Sequence, residues 1–210
     1  AIGQASADAL TTGFDNVAIG RNALGAATTG CSNVAIGTGV LGGGVTTGLQ
    51  NVAIGNATTD ALTSGCENYA IGLNSMTALT TGKYNVAAGS GSIGTSTTGC
   101  HNVGLGTEAL GNADTTGNAN VAVGQNAADA LTTGACNIAM GINALGATTI
   151  GVCNVAIGVG AMYGVTTGQA DSNIAIGVSA LVGAAGTSGN DNVAIGTTAA
   201  DALTTGASNI

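Results

Sequence analysis

"Asn16-Val17-Ala18-Ile19-Gly20" opens a phrase that runs to Ser32 and is then spoken again from Asn33. It closes on glycines 3, 20, 37, 55, 72, 89, 106, 124, 141, 158, 177 and 196, at steps of 17 to 19 residues. A second landmark, Thr-Thr-Gly or a near variant, sits inside each unit, as at Thr28-Thr29-Gly30 and Thr80-Thr81-Gly82. The idealised unit is N-V-A-I-G-x-x-A-L-x-x-x-T-T-G-x-x. Periodicity of this length marks an array of stacked supersecondary units.

Within the phrase, Val17, Ala18 and Ile19 alternate, as a strand does. Asn16 and Gly20 are turn residues on either side, since both tolerate positive φ. A second short strand is expected at Ala-Leu pairs such as Ala23-Leu24 and Ala109-Leu110. Glycine is too frequent, and the apolar period too short, for helix. The sequence therefore predicts an all-β chain, a parallel β-solenoid of about twelve coils. At about 4.8 Å per coil, the rod is roughly 58 Å long. Residues 1–210 form one uninterrupted array. The recurring Asn is expected to stack as an amide ladder.

Two faces of the strand call for two fates. Val and Ile are expected to fill the core. The opposite column holds Ala18, Ala35, Ala53, Ala70, Ala87, Gly104, Ala122, Ala139, Ala156, Ala175 and Ala194. A solvated face would vary and carry charge, so this column is expected to pack against another chain.

The composition removes whole classes of function. Of the 210 residues, only 6% are charged, against roughly 25% in ordinary domains. The net charge is −8, with Arg21 and Lys83 the only strong cations. No basic patch exists to meet phosphate, so nucleic acid is excluded as a partner. Every apolar run is broken well before the roughly 18 residues of a membrane helix, so membrane insertion is not expected. Read end to end, Asn209-Ile210 runs into Ala1-Ile2-Gly3 in register. The expectation is either a window on a longer array or a unit whose ends stack, since uncapped solenoid ends are sticky.

The array resembles the head repeats of trimeric autotransporter adhesins. It is similar, more closely still, to the N-x-A-I-G-x-x-A-L-x-x-x-T-T-G arrays of phage and viral tail-fibre proteins. The resemblance spans essentially the whole chain. It implies a left-handed β-roll, three chains about a common axis, and an extracellular, cell-surface or virion location. The function so implied is a structural fibre or filament segment, with possible end-to-end self-association. The alternative is a surface adhesin or tail-fibre segment that binds a host surface or matrix. A third is an ice-binding solenoid, since Thr recurs at fixed spacing; of each adjacent Thr pair, at most one column can face outward.

No catalytic constellation is present. The single histidine, His101, has no Ser or Cys fixed beside it by a motif. Asp8, Asp60, Asp129 and Asp201 recur in D-A-L-T-[TS]-G on non-adjacent coils, too far apart for acid–base work. Gly42-Gly43-Gly44 lacks the Lys and helix of a phosphate loop. No enzyme activity, cofactor or metal is expected. The five cysteines are Cys31, Cys66, Cys100, Cys136 and Cys153. The first four lie two coils apart, about 9.6 Å, beyond the roughly 7 Å disulfide limit. Cys136 and Cys153 lie on adjacent coils and could pair; the others could reach a partner chain or stay buried. A receptor site would interrupt the repeat, and the extra residues at Gln169-Ala170-Asp171-Ser172 and Ala184-Ala185-Gly186-Thr187 are the natural places for one.

Overall fold

A computed structural model describes residues 1–164, 170–183, 189–203 and 206–210. The described chain is all-β, a parallel β-solenoid with one short strand per coil. The strands are β1 (Val17–Ile19), β2 (Val34–Ile36), β3 (Val52–Ile54), β4 (Tyr69–Ile71), β5 (Val86–Ala88), β6 (Val103–Leu105), β7 (Val121–Val123), β8 (Ile138–Met140), β9 (Val155–Ile157), β10 (Ile174–Ile176) and β11 (Val193–Ile195). They form one 11-stranded sheet in strict chain order. An isolated parallel bridge between Ile2 and Ile19 carries the ladder one coil further.

Register is exact from coil to coil. Val17 faces Val34, Ala18 faces Ala35 and Ile19 faces Ile36, and the pattern holds to Ala175 against Ala194. Equal repeats thus become straight columns of equivalent side chains. The glycine column ends each strand. Gly124 has φ of 132°, and a Cβ there would stand 2.7 Å from the carbonyl of Gly141. Only glycine lets successive coils stack so closely at that corner.

The Ala-Leu segment is buried as expected, but it is not a second strand. Leu24, Leu41, Leu110 and Leu145 are wholly buried, yet each has φ between 50° and 55°. Left-handed backbone breaks extension. The same turn holds a second left-handed position two residues earlier, at Asn22, Asn74, Glu108 and Asn143. Coils nevertheless remain joined there in both directions. Asn22 N–H donates to Gln4 of the coil before, and Leu24 N–H donates to Val40 of the coil after, both at 2.9 Å. Those bonds satisfy buried backbone groups and offset the strain of about 1–2 kcal/mol per residue.

The expected assignment of the two strand faces is reversed. Ala18, Ala35, Ala53, Ala70, Ala87, Ala122, Ala139, Ala156, Ala175 and Ala194 are all between 0% and 4% exposed in the single chain. Gly104 is buried in the same column. Their own coil covers them, so they are not available for packing between chains. Val and Ile point out instead: every strand has a buried centre between two residues that are half-buried or exposed. The reason is volume. The narrow interior is already filled from the other wall by Leu24, Leu62, Leu79, Leu110 and Leu131. Only a methyl or a hydrogen fits on the strand side, because interiors close-pack.

Candidate functional site: the outer face of the sheet

The outward columns read Val17, Val34, Val52, Tyr69, Val86, Val103, Val121, Ile138, Val155, Ile174 and Val193 on one side of the Ala column. On the other they read Ile19, Ile36, Ile54, Ile71, Ala88, Leu105, Val123, Met140, Ile157, Ile176 and Ile195. Not one is charged. Ile71 is 52% exposed, Tyr69 48% and Val17 43%. Just past the glycine turn, Leu73, Ile142, Val159 and Val178 are exposed as well. Two partly exposed apolar side chains per coil amount to a patch on the order of 1,000 Å², well above the roughly 300–600 Å² of a typical monomer's largest. The backbone beneath is ladder-bonded in register, so the patch is a continuous stripe about 50 Å long.

The stripe is held from below by the asparagine ladder. Asn68 is 1% exposed. Its main-chain N–H and its Nδ2 both donate to Asn51 Oδ1 at 3.0 Å. Nδ2 also donates to the Gly82 carbonyl at 2.9 Å, which ties the start of the coil to its end. Asn68 Oδ1 in turn accepts from Asn85 N and Nδ2. The motif continues to Asn209. Each amide is satisfied inside a dry wall, which makes a stiff network.

In most of the described coils one threonine of the pair faces outward; Thr11 and Thr12 are both exposed, and neither Thr148 nor Thr149 is. Thr12, Thr29, Thr47, Thr81, Thr98, Thr116 and Thr133 are exposed. The preceding Thr is spent within the rod: Thr63 Oγ1 donates to Thr80 O at 3.1 Å, and Thr80 Oγ1 to Thr97 O at 3.0 Å. Thr204 and Thr205 lie outside the described residues, as do Gln169 and the stretch 184–187 singled out above. Ala170 is buried, and Asp171 Oδ1 accepts from Val152 N–H at 2.9 Å, which ties the longer coil to its neighbour.

Asp129 accepts from Asn112 Nδ2 at 2.8 Å. Burial pushes its carboxyl above the ordinary carboxylate range, with Glu108 adding to the rise and the Asn112 bond opposing it. His101 stacks flat on Tyr84, ring centroids 4.8 Å apart; both belong to the left-handed column just before the ladder Asn. That pair went unread in the sequence, although Tyr84 and His101 occupy the same place in successive repeats. The thiols of all five cysteines are free, with Cys136 and Cys153 exposed. Among the described residues, no group of three or more His, Cys, Asp or Glu is placed to hold a metal.

One open groove of about 310 Å³ interrupts the surface, lined by Asn74, Thr77, Thr95, Glu108 and Asn112 beside Gly91, Gly94 and Gly111. No helix among the described residues is long and apolar enough to cross a membrane. No protein-family model, no curated protein and no solved structure matches this chain.

Proposed function

We propose that the protein is a non-enzymatic structural rod that associates through its Val/Ile stripe into a multi-chain fibre. The observation that carries this reading is the stripe itself: eleven in-register strands with no charge at any outward position. A stable interface needs about 800 Å² from each partner, and the stripe supplies that on one continuous face. Three chains about a common axis is the arrangement that the adhesin and tail-fibre resemblance implies. Such a fibre would stand outside a cell or on a virion. Its mechanism is mechanical: continuous backbone and amide ladders resist bending and proteolysis.

Electron microscopy of purified protein over a dilution series tests the proposal. Slender rods wider than one solenoid, persisting on dilution, support it. Single-solenoid particles at every concentration overturn it. A second reading, a surface-binding adhesin, draws on the polar groove lined by Asn74, Thr77, Thr95, Glu108 and Asn112. End-to-end growth belongs to the same proposal, and rod length against concentration reads it.

A further inference from the structure

Cys136 and Cys153 occupy the same position in successive coils, each the residue immediately before a ladder Asn. Both have φ of 59°, and both are exposed. Their backbones are pinned: Cys136 N–H donates to Asn118 O and Cys153 N–H to Ala135 O, each at 3.0 Å. On either side, Asn137 and Asn154 are locked into the amide ladder at 3.0–3.1 Å. The column therefore has a fixed step. Its size shows where two rings share it, since Tyr84 and His101 stack at 4.8 Å.

A disulfide fits this step badly. It prefers Cβ atoms about 3.8 Å apart, within roughly 3.5–4.5 Å. Equivalent atoms in the column are separated by about 4.8 Å. Closing the gap would pull two coils together against their hydrogen bonds. A linear thiolate–metal–thiolate unit has the opposite requirement. Two metal–sulfur bonds of about 2.3 Å laid end to end span about 4.6 Å. Thiolate ligands select soft cations, and d10 ions such as Cu(I), Ag(I) and Hg(II) accept two-coordinate linear geometry. We infer that Cys136 and Cys153 form a two-thiolate site for a soft, linearly coordinated d10 cation. On binding, two S–H protons are released to solvent and two metal–sulfur bonds form. No electron is transferred. The site stands apart from the Val/Ile stripe reading and does not depend on it.

Silver ion is the redox-inert probe. The reduced full-length protein is titrated anaerobically with silver nitrate in chloride-free buffer, and the remaining reactive thiols are alkylated and mapped by peptide. One equivalent is expected to protect Cys136 and Cys153 together and leave Cys31, Cys66 and Cys100 reactive. Cys136→Ser is expected to weaken silver binding at Cys153 by at least about 100-fold, the usual loss when a two-point attachment becomes single. A variant with Cys31, Cys66 and Cys100 all changed to Ser keeps the site and should bind as the parent does. Protection spread over all five thiols, or unchanged affinity in Cys136→Ser, overturns the inference. So does rapid, complete formation of a Cys136–Cys153 disulfide under mild oxidant without loss of the fold, because it would show that the column step is not fixed.

Discussion

The two faces of each three-residue strand make opposite demands. Inward, the centre residue is Ala in ten coils and Gly104 in the other. Outward, the flanking positions hold Val, Ile, Leu, Met, Tyr and Ala. The buried column tolerates no variation in size, and the exposed columns vary freely in size but never in polarity. Large apolar side chains outside and small ones inside invert the usual arrangement. The inversion teaches that this coil is too thin to be its own best core. Much of its larger apolar surface stands on the outer face instead.

The largest expected effect comes from violating the inner column. Ala139→Leu adds three carbons to a wall with no room, and overpacking of this kind costs about 3 kcal/mol and occasionally more. Thermal or denaturant unfolding should show a drop of that size or failure to fold. The paired outer change, Met140→Ala, removes a side chain that is 41% exposed. On the unassembled chain it should cost within about 0.5 kcal/mol. Equal penalties for the two changes would break the comparison.

Next in size is the ladder between the faces. Asn68→Ala leaves the buried N–H of Asn85 without its acceptor and removes the tie to Gly82. Leaving buried donors and acceptors unpaired costs about 1–3 kcal/mol each, so a loss of about 3 kcal/mol is expected. Hydrogen exchange should rise first in the coils that flank Asn68. A uniform rise along the rod would argue that the ladder acts globally.

Smaller, and opposite in sign, is Ala57→Gly. Ala57 is held at φ of 49° in a column where Gly39 and Gly91 also stand. Relief of left-handed strain exceeds the entropy cost of glycine by a small margin. A gain of about 0.5 kcal/mol in denaturant unfolding is expected, and a loss would show that the turn is not strained.

The smallest effect is electrostatic. Burial raises the Asp129 carboxyl above its unfolded value. The folded state therefore binds the proton more tightly than the unfolded state does. Stability is highest below the unfolded carboxylate range and falls as pH rises through the raised value. Asp129→Asn keeps an acceptor for Asn112 and should flatten that part of the pH–stability curve, with a slight gain at neutral pH. An unchanged curve would mean that Asp129 is well solvated.

Much of the fold was legible because the repeat states it twelve times. The glycine landmarks, the parallel register, the Asn ladder and the outward Thr of most coils all follow from period alone. The assignment of inside and outside did not. Period two says that Val17 and Ile19 share a face, but not which face is buried. That depends on the volume enclosed by the coil, which only the opposite wall of leucines sets. A signal was nevertheless present: the column that never exceeds a methyl group is the confined one. The Ala-Leu segment was misread as a strand for a different reason. Leu24 is not a residue that announces left-handed backbone. The sign lay two residues upstream, in a column where Asn22, Gly39, Asn74, Gly91, Asn126, Asn143 and Gly160 are of the two residue types that favour it, although Ala5, Ala57, Glu108, Ser179 and Thr198 share that column.

The interface we propose is the Val/Ile stripe and not the alanine column, which is buried within the single chain. Sedimentation velocity of the native chain against an Ile54→Glu, Ile71→Glu, Leu105→Glu variant tests it most directly, with circular dichroism to confirm that both remain folded. The prediction is a native protein that sediments as a discrete multimer and a folded variant that sediments as a monomer. A native monomer at all concentrations, or a variant that associates as the parent does, would contradict it.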